Sequence, residues 1–329
     1  MSRFTLNTLI SDGELDDAQE AVRLACEAGV DAIIVQDLGL ADIIHRCAPD
    51  MPMHASTQMS VQTPAGLKKL KKLGFTRAVL PRELSKEEIR DLCENSPIEL
   101  ECFVHGALCM CVSGQCYFSA MLGSRSGNRG ACAQPCRLPF AAPYGTGNDL
   151  SLKDLSLVDY IREMADMGVC SFKIEGRMKR PEYVAAAVRA CRNSVDGIVD
   201  NELRNDLRSV FSRSGFTDGY CRNKLGIDMF GIRRKDDVTA ASSVLKKLEK
   251  IYEKEVADTK IDFAFTGILG EPISLAAQAG GKNVFVESET QPQPALNKAT
   301  TEDAQGMIKE GREIAAIHPN MVVKIPMTA

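Results

Sequence analysis

Six apolar runs, five of them followed at once by an amphipathic stretch at helical spacing, leave this chain few folds to adopt. The runs are Phe4–Asn7, Asp31–Val35, Met53–Ser56, Arg77–Leu80, Ile98–Val104 and Ser171–Ile174. They are apolar on both faces, as strands are when a parallel sheet is covered by helices. The intervening helices carry start signals: Ser11 with Glu14, Thr63 before Pro64, Ser85 with Glu88, and Pro181 ahead of Val184, Val188, Cys191 and Val195. The expected fold class is α/β, either a (β/α) TIM-type barrel or a doubly wound sheet. A closed barrel needs eight units and six are present, so residues 1–235 read as an incomplete barrel. The first strand begins within five residues of Met1. Two further units would then come from a missing amino-terminal segment or from a partner chain.

Beyond residue 235 the pattern changes. A charged helix with Val244, Leu245, Leu248 and Tyr252 on one face reads as a connecting helix over 236–256. The period then becomes two. Ile261–Leu269, Ile273–Ala279 and Asn283–Glu287 predict antiparallel strands of a small partial β module over 257–300. The polar stretch Glu287–Thr301 reads as a linker to a tail at 301–329.

The longest departure from the β-α rhythm is a cysteine-rich loop at 105–140. The stretch Glu101–Phe140 holds six of the twelve cysteines: Cys102, Cys109, Cys111, Cys116, Cys132 and Cys136. Cys109, Cys116, Cys132 and Cys136 follow the spacing C-x6-C-x15-C-x3-C among several glycines. Four thiolates in one loop bind zinc tetrahedrally or hold an iron–sulfur cluster. The alternatives are two disulfides or buried thiols. Cys26, Cys47, Cys93, Cys170 and Cys191 read as core thiols.

Composition excludes more than it identifies. No apolar run follows Met1 and none reaches eighteen residues, so neither a signal peptide nor a membrane span is expected and a cytoplasmic setting is. In that compartment clustered thiols favour metal over disulfides. The net charge of −4 argues against a broadly cationic nucleic-acid binder. Neither a Ser-His-Asp order, an HExxH helix, a P-loop nor a GxGxxG turn is present.

Polar residues recur at the carboxyl ends of the expected strands, the rim that carries chemistry in β/α barrels. Asn7, Gln36, Asp37, His54, Gln58, Arg82, Glu83, His105, Lys173, Glu175 and Arg177 stand there. Each alone is as well explained by a rim hydrogen bond. His105, four residues before Cys109, reads equally as an outer donor to a metal site, a base or a buried hydrogen-bonded histidine. Arg125, Arg129, Arg137, Lys179 and Arg180 offer positive charge suited to phosphate or carboxylate, or serve as solvated surface charge.

Glu101, Phe103, Gly106 through Cys109, Gly114, Cys116, Ser119, Asn128 through Gly130, Cys132, Cys136 and Arg137 closely resemble the signature of peptidase family U32, the collagenase-like peptidases. His54 through Gln58, Leu80 through Glu83, Ser171 through Lys179 and Phe211 through Tyr220 extend the resemblance over roughly residues 3–300. It implies a barrel whose Cys109, Cys116, Cys132 and Cys136 bind a four-iron–four-sulfur cluster. It also implies oxygen-independent hydroxylation of bases in tRNA or rRNA, with prephenate as hydroxyl donor. Other members serve quinone hydroxylation, and the peptidase name comes from collagenase-like relatives acting on peptides. The expected catalytic residues are His54, His105, Lys173, Glu175 and Arg177. The expected substrate-binding residues are Asn7, Gln36, Gln58, Arg82 and Arg129. Family members usually begin with two more β-α units, in agreement with the count of six. The tail, Asp303–Glu313 and Val323–Thr328, is similar to a segment of small transaldolases in which the residue matching Lys324 forms a Schiff base. So short a piece cannot build that barrel, and no aldolase activity is expected.

Overall fold

The computed structural model describes residues 2–145, 147–176, 179–211, 214–232, 242–252, 262–266, 271–279 and 281–288. The chain divides into two compact units, Met1–Lys254 and Glu255–Ala329.

The first unit is built on a mainly parallel sheet. Strands β1 (Arg3–Leu6), β2 (Ala32–Val35), β3 (Met53–Ala55), β4 (Phe75–Val79) and β5 (Glu99–Gly106) pair in sequence order, all parallel. β6 (Asp154–Ser156) pairs antiparallel with the end of β5, while β7 (Ser171–Ile174) pairs with β5 in parallel. The two-residue β8 (Phe216–Thr217) runs parallel to β6. The six expected strands are therefore the six parallel ones. β6 and β8 were not expected, because three and two residues are too few to show a period.

Helices follow where capping residues place them. The Ser11–Glu14 capping box opens a short 3-10 turn that runs into α1 (Leu15–Glu27). Asp37 accepts from the Leu40 N–H at 2.9 Å and caps α2 (Leu38–Cys47). Asp37, placed on the rim by sequence, thus serves the helix. Thr63 and Pro64 start α3 (Pro64–Lys72), and the Ser85–Glu88 box starts α4 (Lys86–Asn95). The cysteine-rich loop carries the short α5 (Phe118–Gly123). α6 (Ile161–Asp166), α7 (Pro181–Val195) and α8 (Asn201–Phe211) complete the sequence, and α9 (Ser242–Glu249) packs on α7 and α8. Ile33, Leu40, Ile44, Leu67, Phe75 and Ile161 are fully enclosed between sheet and helices. Cys102 and Cys191 are buried there, but Cys47 and Cys170 are exposed. Cys47 closes the last turn of α2. Cys170 stands just before β7, its thiol donating to the Leu100 carbonyl at 3.2 Å.

The sheet is strongly curved. Arg3 on β1 is ion-paired with Glu101 on β5, four strands away. In a flat sheet that separation is about 19 Å, beyond the reach of the two side chains. Among the described residues no strand pairing joins β1 to the opposite end.

The second unit contains three antiparallel strands, β9 (Asp262–Thr266), β10 (Ser274–Ala279) and β11 (Lys282–Glu287), in the order β11-β10-β9. This is the small β module the alternating pattern predicts. The tail at 301–329, with Lys324, lies outside the described residues.

Candidate active site

Five parallel strands deliver polar groups to one rim, and the cysteine-rich loop is fastened over it. Asn7 Nδ2 donates to Ser56 Oγ at 3.2 Å. Gln58 Nε2 donates to Asn128 Oδ1 of the loop at 3.2 Å, and Gln115 Nε2 donates to Ser60 Oγ at 3.1 Å and to the Gln58 carbonyl. Glu83 Oε1 accepts from the Ser113 backbone N–H at 3.1 Å. Arg129 reaches the other way, donating to Glu14 Oε2 at 2.9 Å and to the Leu9 carbonyl at 3.0 Å. Arg129, expected to bind substrate, is thus a tether between the loop and the start of α1. Arg137 holds the far end of the loop by donating to the carbonyls of Leu108 and Leu152. Arg125 donates to the Ala131 carbonyl at 2.9 Å and Arg180 pairs with Glu182.

Among the described residues several buried polar atoms near the rim have no hydrogen-bond partner: Gln36 Oε1, Gln58 Oε1, Glu83 Oε2, Ser113 Oγ and His105 Nε2. An unpaired buried polar atom costs about 1–3 kcal/mol, so five near one rim mark a place built for something polar. Burial pushes the Glu83 carboxyl up, against hydrogen bonds from its own backbone and from Ser113.

Arg82 lies on the same rim, its guanidinium 3.6 Å from the centre of the Phe103 ring and 3.5 Å from Glu175. Its side chain is only 8% exposed. Lys173 approaches the same ring at 5.4 Å but pairs with Glu101 at 3.2 Å. Lys173 therefore belongs less to the rim than to a charge cluster within the curved sheet. Glu101, fully buried, meets Arg3 from β1, Arg77 from β4 at 3.4 Å, Lys173 from β7 and the Ser171 hydroxyl at 2.7 Å. Burial raises the Glu101 carboxyl, but Lys173, Ser171 and Arg3 outweigh it and hold it below the usual range. His54, buried on β3, is pushed down to about 4 by burial and by Arg77 and Arg3. Sequence reasoning gave Arg3 and Arg77 no role and named Glu101 only within the family signature. The available signal was charge inside strands otherwise apolar on both faces.

His105 is 1% exposed at the end of β5. Its Nδ1 is 2.8 Å from the Tyr183 hydroxyl on α7, and the Phe216 ring meets it edge-on at 4.8 Å. Burial, then the Lys179 charge, pushes it down to about 4. His105 is thus a buried, hydrogen-bonded histidine. The next residue, Gly106, has φ +121°, and a Cβ there would lie 2.7 Å from both the Cβ and the carbonyl oxygen of Glu175. Only glycine lets the chain leave β5 beside β7. Arg177 lies outside the described residues.

All four cysteines of the spaced quartet are free thiols. Burial pushes Cys109 up, with Arg82 and Arg137 opposing and Cys136 and Cys132 adding to it. Cys111 is pushed up to about 11 by burial and by a hydrogen bond with Cys116. Gly114 and Gly127 bring backbone close to the thiols: a Cβ at Gly114 would touch Cys109 Sγ at 3.9 Å, and one at Gly127 would meet the Cys116 carbonyl at 3.4 Å and Cys132 Sγ at 4.0 Å. The donor set fits a thiolate-bound centre in kind. Among the described residues, however, no three His, Cys, Asp or Glu side chains close into a metal-holding group.

The model of peptidase family U32 matches residues 3–229. The chain belongs to peptidase family U32. Three members show the range of the family. The chain is 36% identical over 300 residues to the 23S rRNA 5-hydroxycytidine C2501 synthase of Escherichia coli, covering 87% of this chain and 44% of that one. It is 37% identical over 205 residues to tRNA hydroxylation protein P1 of Bacillus subtilis, covering 58% and 49%. It is 34% identical over 247 residues to a collagenase of Porphyromonas gingivalis, covering 67% and 59%. This U32 chain spans about half the length of the relatives it matches. Among its described residues no helix is long and apolar enough to cross a membrane.

Proposed function

We propose that this U32 protein is an iron–sulfur enzyme that hydroxylates a base in tRNA or rRNA without oxygen, working on a (β/α) barrel wall in the cytoplasm. The observation that carries the reading is the loop of four free thiols fastened by polar tethers over a rim of unpaired polar groups. Relatives named for rRNA and tRNA hydroxylation support it. Cys109, Cys116, Cys132 and Cys136 would hold the centre. Replacing a ring C–H by C–OH is a two-electron oxidation; a cysteine-bound iron–sulfur centre would carry the electrons one at a time to an external electron acceptor, which the reaction also requires. Arg82, nearly enclosed and close to the Cys109 thiol, is the cation suited to a carboxylated hydroxyl donor such as prephenate. Glu175 orients Arg82, Lys173 and Glu101 set the charge behind the rim, and the loop excludes water.

A peptidase needs an activated nucleophile. Neither His54 nor His105 bonds a cysteine among the described residues, so no base stands ready to activate a thiol. Anaerobic purification followed by iron and sulfide analysis tests the proposal. The expected result is about four irons per chain with broad absorbance near 400 nm. One tightly held zinc without iron would defeat it. Nucleoside mass spectrometry on RNA from a deletion strain gives the second readout, and retention of every hydroxylated base would count against the RNA assignment.

A further inference from the structure

Resting on the RNA reading above, we propose that the lysine face of α3 holds the phosphate backbone of the RNA where it passes the cysteine-rich loop. Lys68, Lys69, Lys71 and Lys72 are all exposed, while Leu67 and Leu70 are buried in the core. At 3.6 residues per turn the four lysines fan over roughly 160° of the helix, opposite those two leucines. Among the described residues no carboxylate pairs with any of them, and α3 itself contains none. Other helices pair their cations. Arg23 on α1 meets Glu20 and Glu27, Arg46 on α2 meets Asp42, and Lys86 and Arg90 on α4 meet Glu163.

Lysines three and four apart repel one another along a helix, as Lys68 does with Lys71 and Lys72. Cations in the last turn complement the helix dipole, which accounts for one or two of the four and leaves the repulsion standing. The charge around α3 fits the same partner. The chain carries −4, yet its two longest stretches without Asp or Glu are residues 51–82 and 102–148. The first contains α3 and the second the cysteine-rich loop. They are tied together, Gln58 Nε2 donating to Asn128 Oδ1 at 3.2 Å and Gln115 Nε2 to Ser60 Oγ at 3.1 Å.

A polyanion approaching along this border meets no carboxylate from either stretch. Arg77, Arg82 and Arg129, which lie within the two stretches, already face Glu99, Glu175 and Glu14, so the lysines are the cations left for phosphate. On the far side α4 packs against α3 and carries exposed Glu87, Asp91 and Glu94, which bounds the surface there. Lysine meets phosphate as a point charge on a flexible stem, without the planar fork that reads a base edge. Such contacts hold and orient RNA but do not select its sequence.

Fluorescence anisotropy over a series of salt concentrations, on the full chain held anaerobically, tests the lysine face. The probe is a fluorescein-labelled tRNA transcript, and phosphatidylserine vesicles serve as the rival polyanion. Lys68→Gln with Lys72→Gln should weaken tRNA binding about tenfold at about 0.1 M salt. It should also lower the slope of log K against log salt by about 1.5, since each phosphate contact contributes about 0.7–0.9. Lys69→Gln with Lys71→Gln gives an independent pair on the same face, with the same expected change. Arg23→Gln, which removes a cation already paired, should leave the slope as it is. Repulsion relieved and dipole support lost should roughly cancel in either pair, so urea midpoints should stay level and separate lost binding from lost fold. An unchanged slope in both pairs overturns the lysine face and leaves the RNA reading standing. Failure of the folded, unaltered chain to bind tRNA overturns both, and binding to the vesicles instead would assign the face to a membrane surface.

Discussion

Arg3 on the first strand is ion-paired with Glu101 on the fifth, across the inside of a curved sheet. Glu101 there is the buried counter-ion of Arg3, Arg77 and Lys173 together. Removing that anion leaves Arg3 and Lys173 without their carboxylate, while Arg77 keeps Glu99 at 2.6 Å. Glu101→Gln should therefore cost on the order of 3–5 kcal/mol in urea unfolding, the range for breaking a buried pair. Arg3→Gln should cost less, because two cations remain on the carboxylate. Equal midpoints for Glu101→Gln and the unaltered chain would show that the cluster is energetically neutral.

The Arg129–Glu14 tether crosses from the cysteine-rich loop to the cap of α1. Arg129→Ala should speed hydrogen exchange in residues 126–134 while leaving β2 to β4 protected. If the segment exchanges at the same rate, Asn128 and Gln115 suffice to hold the loop.

Stability should fall as pH drops from about 6.5 towards 4. His54 and His105 are ordinary histidines in the unfolded chain but titrate near 4 when folded. The unfolded chain therefore takes up protons first, and the folded state loses ground until it also protonates. For His105 the full effect is on the order of 3 kcal/mol. Glu101 acts in a lower window: its folded carboxyl is held down, so its contribution fades only as pH falls below about 4.5. Urea midpoints at pH 7.5 and 5 measure the first slope, and His105→Gln should flatten part of it. A midpoint independent of pH over that range would contradict the neutral buried state.

Cys111 stands outside the spaced quartet although its thiol is hydrogen-bonded with that of Cys116. Cys111→Ser should retain the iron of anaerobically prepared protein, whereas Cys132→Ser should lose most of it. Iron and sulfide content with visible absorbance decide the matter. Loss of iron in Cys111→Ser alone would move the ligand set.

Strands β2 to β5 were legible because they are almost wholly buried, and burial on both faces writes an apolar run directly into the sequence. Capping boxes at Ser11 and Ser85 wrote the helix starts as plainly. The charge cluster was not legible. Arg3, Arg77 and Glu101 are brought together by curvature, which no local period encodes. The tethering role of Arg129 was hidden for the same reason, since Glu14 lies 115 residues away. For His105, four residues before Cys109, the sequence left three readings open. Only the fold shows Tyr183 and Phe216 closing around it.

Gly106 has a bearing on protein engineering. The space beside it is filled by Glu175 of the neighbouring strand, so even an alanine there would shift two elements at once. Anyone transplanting the cysteine-rich excursion to another β/α scaffold must carry both halves of that junction, the glycine exit and the adjoining strand end. A graft cut at Ala107 would move the thiols and leave behind the hinge pin that aims them.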